Sequence, residues 1–196
     1  MGQKRKHTPT ITVVNQKGGV GKTFIADEIA WGLERESVPC AFLNFDKQGG
    51  TPHEESTPEE RRAADVFVID TPAGLMRQLH DLLVQTDVVV IPTETDDGEV
   101  PATEYTMSLV ECNCPDAVKV LVVNKWTRFN AARDFEAHVD RWREKGWAVF
   151  YVPETVLVRR GKNERKSVVA LAKRSRVAEA VGELTRYVIE AVGAHA

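Results

Sequence analysis

Residues 15–23 read Asn-Gln-Lys-Gly-Gly-Val-Gly-Lys-Thr. They stand between an apolar run, Ile11 to Val14, and a stretch beginning near Lys22 in which Phe24, Ile25, Ile29 and Leu33 recur near a 3.6-residue period. A glycine-rich turn from strand to helix constrains the fold more than any other feature of the chain, because it opens a βα unit. Glycines let successive backbone N–H groups turn inward without Cβ clashes, and the helix N-terminus adds positive potential. The loop therefore reads as a phosphate cradle. Gly18, Gly19, Val20 and Gly21 supply the backbone, Lys22 a point charge for the terminal phosphates of a nucleotide, and Thr23 a hydroxyl for the accompanying magnesium ion.

Further along, apolar runs alternate with amphipathic stretches, the pattern of a mostly parallel twisted sheet covered by helices on both faces. Strands are expected over 10–15, 40–45, 65–70, 87–91, 118–124 and 147–152, and helices over 22–36, 73–86, 98–111, 130–145 and 175–192. Residues 47–64 are polar, hold two prolines, show no apolar period, and read as a loop. With 196 residues and 42% hydrophobic content the chain suits one α/β domain over 10–196, preceded by a basic mobile tail, 1–9, carrying Lys4 to Lys6. No apolar stretch approaches the ~20 residues of a membrane span, and no apolar secretory segment follows Met1. The expectation is a cytoplasmic protein. Three cysteines fit a reducing compartment, and Cys112 and Cys114 read as free thiols rather than metal ligands.

Two acids end apolar strands, where ligand-binding α/β sheets carry their chemistry. Asp46 closes the second strand, one βαβ unit from the loop, beside the expected γ-phosphate. Asp70 ends Val66-Phe-Val-Ile-Asp and is delivered to the magnesium shell, reaching the ion through a water. Charge is unevenly spread over a net −3. Residues 46–104 hold 14 acids against 4 bases, whereas 158–176 hold 8 bases against 1 acid. A basic cluster on an otherwise acidic protein concentrates attraction for a polyanion on one surface.

The loop departs from the ordinary G-x-x-x-x-G-K-[ST] spacing, because Gln16 stands where the first glycine belongs and a second lysine, Lys17, follows. The variant Lys17-Gly-Gly-Val-Gly-Lys-Thr23 resembles the deviant phosphate loop of the ParA/MinD ATPases. The resemblance implies ATP, ADP and Mg2+ as ligands, with Lys17 crossing a dimer interface to the partner's nucleotide and Lys22 serving its own subunit. Asn44-Phe-Asp-Lys-Gln-Gly resembles the family's D-x-D-P-Q-G motif and implies that Asp46 is the catalytic carboxylate, which also adjoins the metal. Asn44 replaces the first acid, Lys47 the proline, and Phe24 the usual second threonine after Lys22. Asn124 matches the family asparagine that meets adenine, an amide able to donate and accept at once. Pro153 and Glu154 match the loop that completes the base pocket.

By the same resemblance Arg159, Arg160, Lys162, Arg165 and Lys166 grip nonspecific double-stranded DNA through its phosphates. The implied function is that of a short, plasmid-type ParA partition ATPase. ATP closes a homodimer, the dimer binds DNA on the nucleoid, and a ParB-like centromere-binding partner stimulates slow hydrolysis and release. Three alternatives stand beside it. A MinD-like membrane switch is opposed by a C-terminus without the basic and bulky apolar faces of an interfacial anchor. A metabolic enzyme on the same scaffold lacks a motif of its own. A weakly hydrolysing ATP-binding module of the same fold is suggested by Asn44, Lys47 and Phe24.

Overall fold

The computed structural model describes residues 7–46, 50–74, 76–127 and 133–194. Lys4 to Lys6 and Lys47 lie outside these described residues. The strands are β1 (Thr10–Val13), β2 (Cys40–Asn44), β3 (Val66–Asp70), β4 (Val88–Thr93), β5 (Val118–Trp126) and β6 (Ala148–Pro153). All pairings are parallel, in the order β2-β3-β1-β4-β5-β6. The helices are α1 (Lys22–Arg35), α2 (Pro58–Ala63), α3 (Met76–Leu83), α4 (Val100–Asn113), α5 (Arg133–Glu144), α6 (Leu157–Glu164), α7 (Val168–Leu171) and α8 (Arg176–Gly193).

Successive side chains of a strand point to opposite faces, so a sheet covered on both sides buries every position of its central strands. Val88, Val90, Val120 and Val122 pack with Ile25 and Ile29 of α1 and Leu184 and Val188 of α8. Their neighbours Val89, Ile91, Leu121 and Val123 pack on the other face with Leu83 of α3, Met107 of α4 and Trp142 of α5. The chain is thus a three-layer α/β domain, as its alternating apolar runs predict.

Two expectations need correction. The 47–64 segment is not all loop, because 58–63 forms α2. Thr57 Oγ1 accepts from Glu60 N at 3.2 Å while Thr57 N donates to Glu60 Oε2 at 2.7 Å, and Pro58 opens the helix. The Thr-Pro-Glu-Glu signature of a capping box was present; the helix buries no residue, so no apolar period announced it. The basic segment, read without an element of its own, folds into α6 and α7. Ahead of β1, His7 Nε2 lies 2.9 Å from Asp87 Oδ2, and Phe67 N donates to Pro9 O at 2.9 Å.

Candidate functional site

The strand order reverses around β1, whose neighbours β3 and β4 lead to opposite edges, and such a switch point opens a crevice at the strands' carboxyl ends. Residues 15–21 occupy that position. Register sets Asp70 against both Val13 of β1 and Asn44 of β2, so the second acid stands at the root of the loop. Thr71 Oγ1 donates to Val13 O at 2.9 Å, and Asn15 Nδ2 donates to Pro92 O at 2.8 Å, which ties the loop's base to β4.

Gly19 and Gly21 adopt φ of +84° and +94°, the left-handed region that glycine enters without strain. A Cβ at Gly21 would also lie 2.1 Å from Asn124 Nδ2, so no other residue fits there. α1 begins directly after Gly21 with no side chain capping its N-terminus. Its first-turn N–H groups therefore suit an anion. The Phe24 side chain packs against the α1/α8 core and walls a cavity of about 230 Å³ with Trp31 and Pro52. Only its backbone is left for a phosphate.

Lys22 is 6% exposed and its Nζ donates to Lys17 O at 2.8 Å. Burial lowers its pKa, against the opposing pull of the Asp70 and Asp46 carboxylates. Asp70 is fully buried, and neither carboxylate oxygen accepts a well-formed hydrogen bond among the described residues, although the Thr23 hydroxyl is close enough to favour its charged form. Burial pushes its carboxyl up to about 7, which the nearby Thr23 hydroxyl and Lys22 ammonium offset only in part. An orphaned buried carboxylate beside a phosphate loop fits a hydrated magnesium ion, whose waters would satisfy both oxygens.

A carboxyl raised from 3.8 to about 7 costs the fold nothing below pH 4, and the cost grows as pH rises toward 7. Asp70→Asn is therefore expected to raise the midpoint of urea unfolding at pH 8, by an amount corresponding to about 1–3 kcal/mol after allowing for the buried amide it introduces. The gain should vanish near pH 4, and a gain independent of pH would contradict it.

Lys17 and Asn124 each have a partner within the chain. Lys17 Nζ lies 3.2 Å from Glu99 Oε1 of its own chain, before α4, rather than extending outward. Asn124 donates Nδ2 to Val20 O at 2.9 Å and is 5% exposed. Asp46 N donates to Asn44 Oδ1 at 2.9 Å, so the asparagine in place of the first acid organises the backbone that presents Asp46. Glu154 N donates to Trp126 O at 3.1 Å, which fixes the Pro153–Glu154 turn beside the end of β5. Arg159, Arg160, Lys162, Arg165 and Lys166 are all exposed on or just after α6. Acids temper the cluster, with Arg160 Nε 2.6 Å from Glu164 Oε1 and Arg165 NH1 3.3 Å from Glu54 Oε1. Exposed pairs of this kind are worth at most about 1 kcal/mol and yield readily to a polyanion.

Several residues were not foreseen. Asp27 Oδ1 accepts from His53 at 2.7 Å, pinning the 50–56 loop to α1. Glu28 accepts from Ser167 Oγ at 2.6 Å and Val168 N at 2.7 Å, capping α7. Glu28 falls on the apolar stripe with Ile25, Ile29 and Leu33, and an acid on such a stripe is the signal that was available. Lys125, whose Nζ donates to Gly19 O at 3.0 Å, and Glu94, which pairs with it, carried no such signal.

No protein-family model matches the sequence, and no curated protein matches it. Solved structures do match over nearly the whole chain. The MinD cell division protein of Aquifex aeolicus superposes with a TM-score of 0.75 at 14% identity, covering 93% of this chain and 97% of its own. Apo McdA of Cyanothece gives 0.76 at 14% identity, covering 93% and 100%. A putative plasmid partition protein of Borrelia burgdorferi, bound to AMPPNP, gives 0.66 at 14% identity, covering 94% and 98%. This chain has the ParA/MinD ATPase fold. No helix among the described residues is long and apolar enough to cross a membrane.

Proposed function

We propose that the protein is a ParA-type ATPase that dimerises on ATP, binds DNA without reading sequence, and is released after hydrolysis stimulated by a ParB-like partner. The observation that carries the reading is the pairing of a cationic loop with Asp70, a buried carboxylate without a partner among the described residues. A MinD of Pyrococcus horikoshii is complexed with Mg-ADP and the Borrelia protein with AMPPNP, the ligand class proposed here.

Triphosphate binding exchanges the Lys17 carbonyl on Lys22 Nζ for phosphate oxygens, and the N–H groups of 18–23 complete the cradle. Thr23 and Asp70, with Asp46 adjoining, would hold Mg2+, which would neutralise phosphate charge. Asp46, at the carboxyl end of β2, orients the attacking water and accepts its proton. Pro153, Glu154 and the Asn124 backbone bound the base. Lys17 leaves Glu99 for the partner's nucleotide, and the joined α6 surfaces present Arg159, Arg160, Lys162, Arg165 and Lys166 to DNA.

Electrophoretic retardation of duplex DNA, run with ATP or ADP at two salt concentrations, tests this reading. Retardation is expected with ATP alone, weakening steeply with salt as counterions are released. Asp46→Ala should stay on DNA long after wild-type protein has dissociated, and Arg159→Glu with Arg160→Glu should weaken binding at least tenfold on every sequence alike. Equal retardation in ATP and ADP would overturn the switch, and unchanged binding by the charge-reversed protein would overturn the surface.

A further inference from the structure

The end of β5 breaks a rule of strand geometry. Consecutive side chains of a strand point to opposite faces, yet Asn124 and Lys125 both reach the phosphate loop. Asn124 Nδ2 donates to Val20 O at 2.9 Å, and Lys125 Nζ donates to Gly19 O at 3.0 Å. Two adjacent side chains thus hold two adjacent carbonyls. The backbone shows how. The β5–β6 register shifts between Val123 and Trp126, and Lys125 sits at φ +53°, a left-handed conformation unusual for a residue with a side chain. Irregularities of this kind re-aim side chains near functional sites, and a strained residue persists because its surroundings impose it.

The second contact of Lys125 is as informative. Its Nζ lies 2.6 Å from Glu94 Oε1, just past β4, the neighbouring strand. A bare ammonium this close to the loop would compete with Lys22 for phosphate charge. Paired with Glu94, it contributes no net charge and remains on the Gly19 carbonyl. Carbonyls of residues 19 and 20 held outward leave the N–H groups that follow them in the loop facing inward, the arrangement an anion-binding concavity requires.

We propose that Lys125, held by Glu94, is a positioning residue of the phosphate loop: it turns the Gly19 carbonyl away from the ligand so that the loop's N–H groups are ready for the β-phosphate. The inference rests on the reading of this loop as a nucleotide site. It assigns Lys125 no contact with nucleotide.

Lys125→Gly separates positioning from structure, because the two effects have opposite signs. Glycine enters φ +53° without strain, so the melting temperature of the variant should be unchanged or higher. Its affinity for ADP should fall about tenfold, measured by competition with a fluorescent ADP analogue. Affinity for AMP, which lacks the β-phosphate, should stay within twofold. Lys125→Arg should restore most of the ADP-over-AMP preference, and Glu94→Gln should lower it in the same direction as Lys125→Gly. An unchanged ADP affinity in Lys125→Gly, or equal losses for ADP and AMP, would overturn the proposal. Wild-type protein that binds neither nucleotide would overturn the nucleotide reading itself, and the positioning role with it.

Discussion

Lys22→Ala is expected to abolish binding of ATP and ADP while leaving the fold intact. Lys22 is buried at the mouth of α1, and in this structure its ammonium is satisfied by the Lys17 carbonyl and by the fields of Asp70 and Asp46. Charge-assisted hydrogen bonds in so dry a site contribute roughly 1.5–3 kcal/mol each, and at least two terminal phosphate oxygens lie within reach of one ammonium. Their joint loss corresponds to a decrease in affinity of about 100-fold or more. Stability should respond differently, because burial already opposes the charged form, and removing a desolvated cation relieves that cost as it removes a hydrogen bond. The net change in unfolding free energy is expected within about 1 kcal/mol. Isothermal titration with ADP and thermal melting of the same sample read both quantities. A variant that melts normally and binds ADP within threefold of wild type would remove Lys22 from the phosphate site.

How far the sequence reveals this site depends on the range of the interactions. The six strands were legible because a parallel sheet buried on both faces needs unbroken apolar runs, and Val66-Phe-Val-Ile and Val88-Val-Val-Ile admit little else. The loop was legible because its chemistry is contiguous: three glycines, a lysine and a threonine act within nine residues. Asp46 and Asp70 were legible as strand ends. α2 was not, since a helix held by its caps and by exposed pairs such as Arg62 with Glu59, 2.7 Å apart, leaves no apolar stripe to detect. The tether of Asn124 to Val20 was hidden for another reason. It depends on a local shift of β5 against β6, and a one-residue irregularity redirects side chains without changing the composition of the run that contains it. Lys17 with Glu99 and Lys125 with Glu94 are long-range pairs between exposed-looking charges, which no periodicity records.

The Lys17–Glu99 pair sets how readily two copies of the chain can join. Lys17→Ala should bind nucleotide as a monomer and lose ATP-dependent dimerisation, and Glu99→Gln should shift dimerisation to lower protein concentration. In this structure Lys17 Nζ is 3.2 Å from Glu99 Oε1, with a side chain 48% exposed on the lysine and 13% on the glutamate. The second Glu99 oxygen, Oε2, is buried and has no hydrogen-bond partner among the described residues, so the carboxylate depends on Lys17 for much of its compensation. For Lys17 to reach a partner's phosphate it must leave that carboxylate, and dimerisation is weakened by whatever the pair contributes within the protomer. Solvent around the lysine holds that contribution near 1 kcal/mol per protomer, and because both protomers release a lysine the dimerisation midpoint in Glu99→Gln should be roughly 30-fold lower. Analytical ultracentrifugation with a non-hydrolysable ATP analogue, over a range of protein concentrations, reads the midpoint, and the two changes combined form a thermodynamic cycle. In the Lys17→Ala background Glu99→Gln should have no effect, because the amine it releases is absent. Normal dimerisation of Lys17→Ala would refute the cross-interface role. Loss of dimerisation in that variant together with an unshifted midpoint in Glu99→Gln would keep the role and reject Glu99 as the group that restrains it.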